Sequence, residues 1–214
     1  MKKFKKLAVA ASVAALFAAA TGAHAFTVTN PYAGWEWSPL AVPDTTTYGQ
    51  VFMTPDAINT SLDSFTFWMV GSLAQAYAGV GTWTGTGIGT SLWQSSSFAA
   101  SAGSLTAFSV STGGLNLVAG QQYVAYFSTD ILGNSGGNQV AAGTQSNGFA
   151  WDNSGGGGPL NNNWNGCHDC NSIQYVMEFS APNAPIPEPE TYAMMLAGLG
   201  LLGLVRRRKQ QAAA

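Results

Sequence analysis

All eight lysines and arginines of this 214-residue chain sit at its two ends: Lys2, Lys3, Lys5 and Lys6, then Arg206, Arg207, Arg208 and Lys209. Residues 26–186 hold no base and eight acids (Glu36, Asp44, Asp56, Asp63, Asp130, Asp152, Asp169 and Glu178), a formal charge of −8. A surface without cations has nothing with which to neutralise phosphates, which excludes nucleic-acid binding. It also excludes catalysis in which Lys or Arg clamps a phosphate or carboxylate. Charged residues make up 8% of the chain, against about 25% in an ordinary soluble domain. Water must therefore be met by hydroxyls, Asn and Gln. Edge strands also lack the Lys that commonly guards them, so short edges, bulges or the Pro-rich N-terminal stretch must block edge pairing.

The two ends read as addresses. Four lysines within residues 1–6 precede the apolar run Leu7 to Ala20 and the small-x-small site Ala23-His24-Ala25. That order predicts a secretory signal helix over residues 1–25, handled by Sec-type export machinery and cut to leave Phe26 as the new N-terminus. At the other end, residues 182–190 form a Pro-rich linker, stiff and extended because each proline fixes its own φ. Residues 191–214 then carry the apolar run Tyr192 to Val205 and the cluster Arg206-Arg207-Arg208-Lys209. Fourteen residues make a helix of about 21 Å, short of the roughly 30 Å hydrocarbon core. Length alone favours a core helix. The flank decides for a short transmembrane helix, since contiguous cations suit a cytoplasmic stop and long Arg side chains reach back to the headgroups. Both basic clusters then lie on the cytoplasmic side, with the intervening domain outside.

Pro187-Glu188-Pro189, an apolar helix opening Tyr-Ala-Met-Met-Leu, Gly198 and Gly203 within it, and the Arg cluster together resemble a PEP-CTERM sorting signal over about residues 185–209. The resemblance implies recognition by exosortase, a membrane protease-transpeptidase of Gram-negative bacteria, with cleavage near the Pro-Glu-Pro motif. It also implies association with exopolysaccharide and biofilm-type matrix, by way of an anchored precursor in the inner membrane. Glu190, where Ser is commoner, and the extension Gln210 to Ala214 are small departures. A plain C-terminal anchor on a Pro-rich stalk is the simpler alternative.

The domain between the addresses, residues 26–181, is long enough for one real core. Period-2 alternation recurs there between Gly, Asn, Ser and Pro punctuation, and helical periodicity is hard to find. Ile173, Tyr175, Met177 and Phe179 alternate with Gln174, Val176, Glu178 and Ser180, and Tyr123, Ala125 and Phe127 oppose Val124, Tyr126 and Ser128. Leu62 to Val70 is apolar on both faces and reads as a central strand, with Trp68 in the core. Tyr48 to Thr54, Leu105 to Val110, Ala74 to Ala78, Ser91 to Gln94 and Phe149 to Trp151 complete eight or so strands. The expectation is all-β: an antiparallel β-sandwich, jelly-roll-like. The segments Tyr48-Gly49-Gln50-Val51-Phe52, Leu62 to Phe67, Thr106 to Ser109, Thr112 to Leu115 and Val118 to Ala125 resemble a lineage of β-sandwich ectodomains common among exosortase substrates, which implies the fold and export route and no catalytic residue.

Chemical candidates are few. His168 lies within Cys167-His168-Asp169-Cys170. A Cys167–Cys170 disulfide is favoured, because an exported compartment is oxidising. A zinc site wants four ligands and a thioredoxin-like motif wants a helix N-terminus, neither of which the flanks supply. Free thiols complete the alternatives. Trp35, Trp37, Trp83, Trp151 and Trp164 read as lying near turns and loops. Trp beside Asp and Asn suits sugar, the ring stacking on C–H faces while polar groups bond hydroxyls, and Trp151, Asp152, Asn153 and Trp164 form the best set. Capping the ends of the core is the favoured role for these rings, and sugar binding is the competing one. Asp130, Asp152 and Asp169 could share a Ca²⁺ if their loops converge, although no contiguous calcium loop is present. No cofactor is otherwise expected, nor a nucleophile elbow, HExxH or phosphate loop. The expected function is a non-enzymatic, exosortase-processed surface or matrix protein that holds glycan. The alternatives are a glycan-active hydrolase with an unobvious carboxylate pair and a purely structural adhesion module.

Overall fold

The computed structural model describes residues 25–41, 45–132, 136–146, 148–152, 164–167 and 172–182, all within one compact unit, Ala25–Pro182. The strands run β1 (Phe26–Asn30), β2 (Tyr32–Leu40), β3 (Thr47–Phe52), β4 (Ser61–Gly71), β5 (Gln75–Trp83), β6 (Ile88–Gln94) and β7 (Phe98–Ala99). They continue β8 (Ala102–Asn116), β9 (Tyr123–Ser128), β10 (Asn138–Gly143), β11 (Phe149–Asp152), β12 (Asn165–Cys167), β13 (Ser172–Ile173) and β14 (Tyr175–Ser180). The described residues contain no helix. The expected signal helix and sorting helix lie outside them.

All named strands pair antiparallel in two sheets. The first has the order β1-β14-β4-β10-β13, with β2 also on β10 and β8 on β4; the second has β12-β11-β3-β9-β5-β6, with β7 on β5. The main core lies between them. Phe65, Phe67 and Met69 of β4 and Tyr175, Met177 and Phe179 of β14 meet Tyr48 and Phe52 of β3 and Tyr123, Ala125 and Phe127 of β9. Phe127 is central, its ring centroid 4.9 Å from that of Phe67, 5.8 Å from Phe65 and 5.4 Å from Phe98. Because Phe65, Phe67 and Met69 face inward, strand alternation turns Trp68 to the other face. Trp68 is half-buried there, a correction to its expected place in the core.

The second sheet is covered on its outer face as well. Val51, Tyr77, Trp83, Ile88, Val124, Tyr126, Ala150 and Trp164 form a second apolar cluster, so all six residues of β9 are buried. Glycines make room for the large rings. In register, Tyr126 stands between Gly49 of β3 and Gly79 of β5. A Cβ at Gly79 would fall within the Tyr126 ring, and one at Gly49 would stand 2.8 Å from Trp164 Cζ3 and 2.7 Å from Val124 Cγ2. Strand glycine normally weakens a sheet, but here an aromatic fills its notch. Burial, and next the neighbouring Tyr77 phenol, push the Tyr126 phenol well above its ordinary value.

Polar side chains, two amides and one carboxylate, tie the loops. Asn138, fully buried, accepts from Leu73 N (2.9 Å) and donates to Ala100 O (2.5 Å). Asn30 donates to Ser172 Oγ and, at 3.0 Å, to Ile173 O, and accepts from Gln145 N at 3.0 Å. Asp56 organises the β3–β4 loop, its carboxylate accepting from Ile58 N (2.7 Å), Asn59 N (2.6 Å) and Asn59 Nδ2 (2.8 Å).

Gly79→Ala is expected to cost about 1–3 kcal/mol by overpacking. In a Tyr126→Ala background that cost should largely vanish, a coupling read by urea unfolding of the four-member cycle. The Asn59 backbone N–H, then the Asn59 side chain and Ile58 N–H, hold the Asp56 carboxyl below its usual range. A depressed folded value stabilises above the unfolded pKa of about 3.9 and loses that contribution as pH falls through the folded value. Asp56→Ala should therefore lower Tm at neutral pH, with the gap closing in acid. A gap that persists unchanged at low pH would contradict this role.

Candidate functional site

The tryptophans expected in loops are largely on or beside strands. Trp35 and Trp37 lie on β2, Trp83 ends β5, Trp151 lies on β11 and Trp164 precedes β12. Trp35-Glu36-Trp37 has the period-2 spacing that would have announced this strand. Gly34, at φ +91°, and Pro39 instead gave the stretch the look of a loop.

Three of these rings, with Phe149 and Tyr48, form one aromatic row. Trp35 packs edge-on against Trp37 at 4.6 Å, and Trp37 stacks on Phe149 at 4.3 Å. Phe149 stacks in turn with Trp151 at 5.2 Å and with Tyr48 at 5.6 Å. Pairing places Trp151 opposite Tyr48, while β2 is held on β10 of the other sheet. The row therefore bridges the two sheets. Trp37 Nε1 donates to Ser172 O at 3.4 Å. At the open end, Trp35 is 38% and Tyr32 37% exposed, and the Tyr32 hydroxyl donates to Glu36 Oε1. That hydrogen bond raises the Tyr32 phenol above its ordinary value. The exposed indole of Trp35 offers a ring face to C–H groups.

The residues that the sequence drew together separate. Trp151 joins this row. Trp164 is only 6% exposed, its ring set edge-on to Trp83 at 5.8 Å and to Tyr126 at 6.0 Å and seated over Gly49. Asn153 and the Asp152 side chain lie outside the described residues. So do Cys170 and the Cys167 side chain, Asp44, His168 and Asp169. Of the proposed calcium set only Asp130 is described in full. It is buried, and its Oδ1 accepts from Ile131 N at 3.0 Å.

The other acids have local structural work. Ser64 Oγ donates to Glu178 (2.9 Å) and Ser180 Oγ to Asp63 (3.0 Å), while Asp56 closes its loop. Among the described residues no group of three His, Cys, Asp or Glu converges in the manner of a metal site. Of the signal-cleavage residues, Ala23 lies outside the described part, while Ala25 precedes and Phe26 opens β1. Pro187, Glu188 and Pro189, with Arg206, Arg207, Arg208 and Lys209, also lie outside it. Among the described residues no helix is long and apolar enough to cross a membrane.

No curated protein and no solved structure matches the chain. Residues 185–209 match the PEP-CTERM protein-sorting motif, the same stretch on which the resemblance rested. The chain thus carries the signal by which exosortase sorts a protein to the cell surface, with an all-β sandwich ahead of it.

Proposed function

We propose that this is a non-enzymatic surface protein that holds glycan of the extracellular matrix at the Trp35–Trp37–Phe149–Trp151 row, after export through the inner membrane and exosortase cleavage near Pro187-Glu188-Pro189. The observation that carries the glycan reading is the open end of that row, where the Trp35 indole is 38% exposed and stacks edge-on to Trp37. A domain without cations suits a neutral, hydroxyl-rich ligand, since it has no base with which to clamp an anionic one. The carboxylates Asp56, Asp63 and Glu178, each occupied by a loop or strand hydroxyl or amide, support a binding role over a glycosidase, which would need two facing acids about 5–9.5 Å apart.

Two measurements test the reading separately. Glu188→Ala should leave the full-length chain accumulating in the inner membrane, detected by blotting fractionated cells. Normal release of that variant would refute the processing step. Full-length protein should be retarded in gels cast with matrix polysaccharide, and Trp35→Ala should weaken that retention about tenfold, as loss of one stacked ring predicts. Wild-type protein that no polysaccharide retards would leave the structural adhesion module as the better description.

A further inference from the structure

Strand β8 is the longest strand, fifteen residues from Ala102 to Asn116, and carries no charge and no proline. Among the described residues it pairs only with β4, so among them its other side is an edge. Short length, the simplest guard for a cation-free edge, is not used here. Bulges are. The register on β4 is irregular between Leu62 and Ser64, where Gly113 and Gly114 take φ of +73° and +86°, and again between Met69 and Gly71. Between these irregularities the pairing is unbroken from Ser64↔Ser111 to Met69↔Thr106.

That straight segment is Thr106-Ala107-Phe108-Ser109-Val110-Ser111. It has high β-propensity and neither charge, Pro nor Gly, the composition of segments that pair with their own copies. Thr106, Ala107, Ser109 and Ser111 are exposed, and Phe108 and Val110, although they pack on the core, are only half-buried. A strand added at this edge would cover both and satisfy the outward N–H and C=O groups.

The charge distribution selects the partner. A domain with eight acids and no base repels its own copy wherever carboxylates meet. The straight segment and the β4 residues opposite it contain no acid. Asp63 lies beyond the bulge, its carboxylate held by Ser180, and Glu178 lies on β14, on the far side of β4. Glu36, Asp56 and Asp130 belong to β2, the β3–β4 loop and the segment after β9.

We propose that two copies of this chain associate by antiparallel pairing of β8 with β8 across Thr106–Ser111, continuing the first sheet through a two-fold axis. Facing residues in an antiparallel pair share a face, so a two-fold perpendicular to the sheet must set one residue opposite its own copy. Centred on Ser109, it sets Phe108 opposite the partner's Val110, and Ala107 opposite the partner's Ser111.

The test uses the full chain in detergent micelles, by sedimentation from about 1 to 100 µM with hydrogen exchange at each concentration. A dimer is expected in which Thr106–Ser111 gains protection as concentration rises. Ser109→Glu sets a carboxylate against its own copy and should weaken the dimer about tenfold or more. Because it also removes the 2.5 Å Thr66–Ser109 hydroxyl bond, Ala107→Glu serves as a second variant, with an unchanged thermal melt reporting an intact fold. A monomer throughout the range with this segment unprotected overturns the proposal. So does a dimer protected elsewhere, or a strand of another protein covering β8 while the purified chain stays monomeric.

Discussion

The Tyr126 ring occupies the space above Gly79 where any Cβ would stand, and the Trp164 ring does the same at Gly49. The second sheet depends on this exchange of side chain for notch. Its central strand β9 is buried on both faces. A sheet so covered has to admit large rings on its outer side without spreading its ladder. Glycine on the two flanking strands, level with Tyr126, lets the pairing of β3, β9 and β5 run unbroken beneath the aromatics. The inner face is then free to pack Phe127 against Phe65, Phe67 and Phe98.

Outside the apolar clusters, amides and hydroxyls take the place that ion pairs occupy in most domains. Asn138 and Asn30 knit loops that lie far apart in the chain, Thr47 and Ser128 join hydroxyls at 2.7 Å across β3 and β9, and Thr66 and Ser109 do so across β4 and β8. Such bonds do not weaken with salt as surface ion pairs do. They suit a domain that is delivered to the outside and meets uncontrolled ionic strength there. The same absence of cations leaves β8 without its usual guard.

Strands with strict alternation were plain in advance. The Ile173-Tyr175-Met177-Phe179 series became β13 and β14, Tyr123 to Ser128 became β9, and Leu62 to Val70 lies within β4. Strands built of small or breaker residues were not. Asn138–Gly143 of β10 offers Ala and Gly where a periodic pattern would need large side chains, and β2 hides behind Gly34 and Pro39. The segment Leu105 to Val110 is the middle of β8, whose Ser, Thr and Gly flanks look like turns; the register is irregular at both flanks, yet pairing on β4 resumes beyond them at Ala102 and at Leu115 and Asn116. For the candidate site, residue type alone did not give the grouping: Trp151 and Trp164 stand in different clusters, and Trp35 and Trp37 complete the row that Trp151 joins.

Linear order was enough for the destination of this protein. A sorting signal is an arrangement of proline, apolar run and basic cluster within 25 consecutive residues, 185–209, and its meaning needs no partner from elsewhere in the chain. The all-β class was likewise carried by local alternation. The aromatic row and the open edge were left to packing. Trp37 reaches Phe149 across more than a hundred residues of sequence, and whether β8 ends a sheet or sits within one depends on which strands lie beside it. Neither contact is encoded in any neighbourhood short enough to read, because side chains from distant strands become neighbours only when two sheets close over a common core.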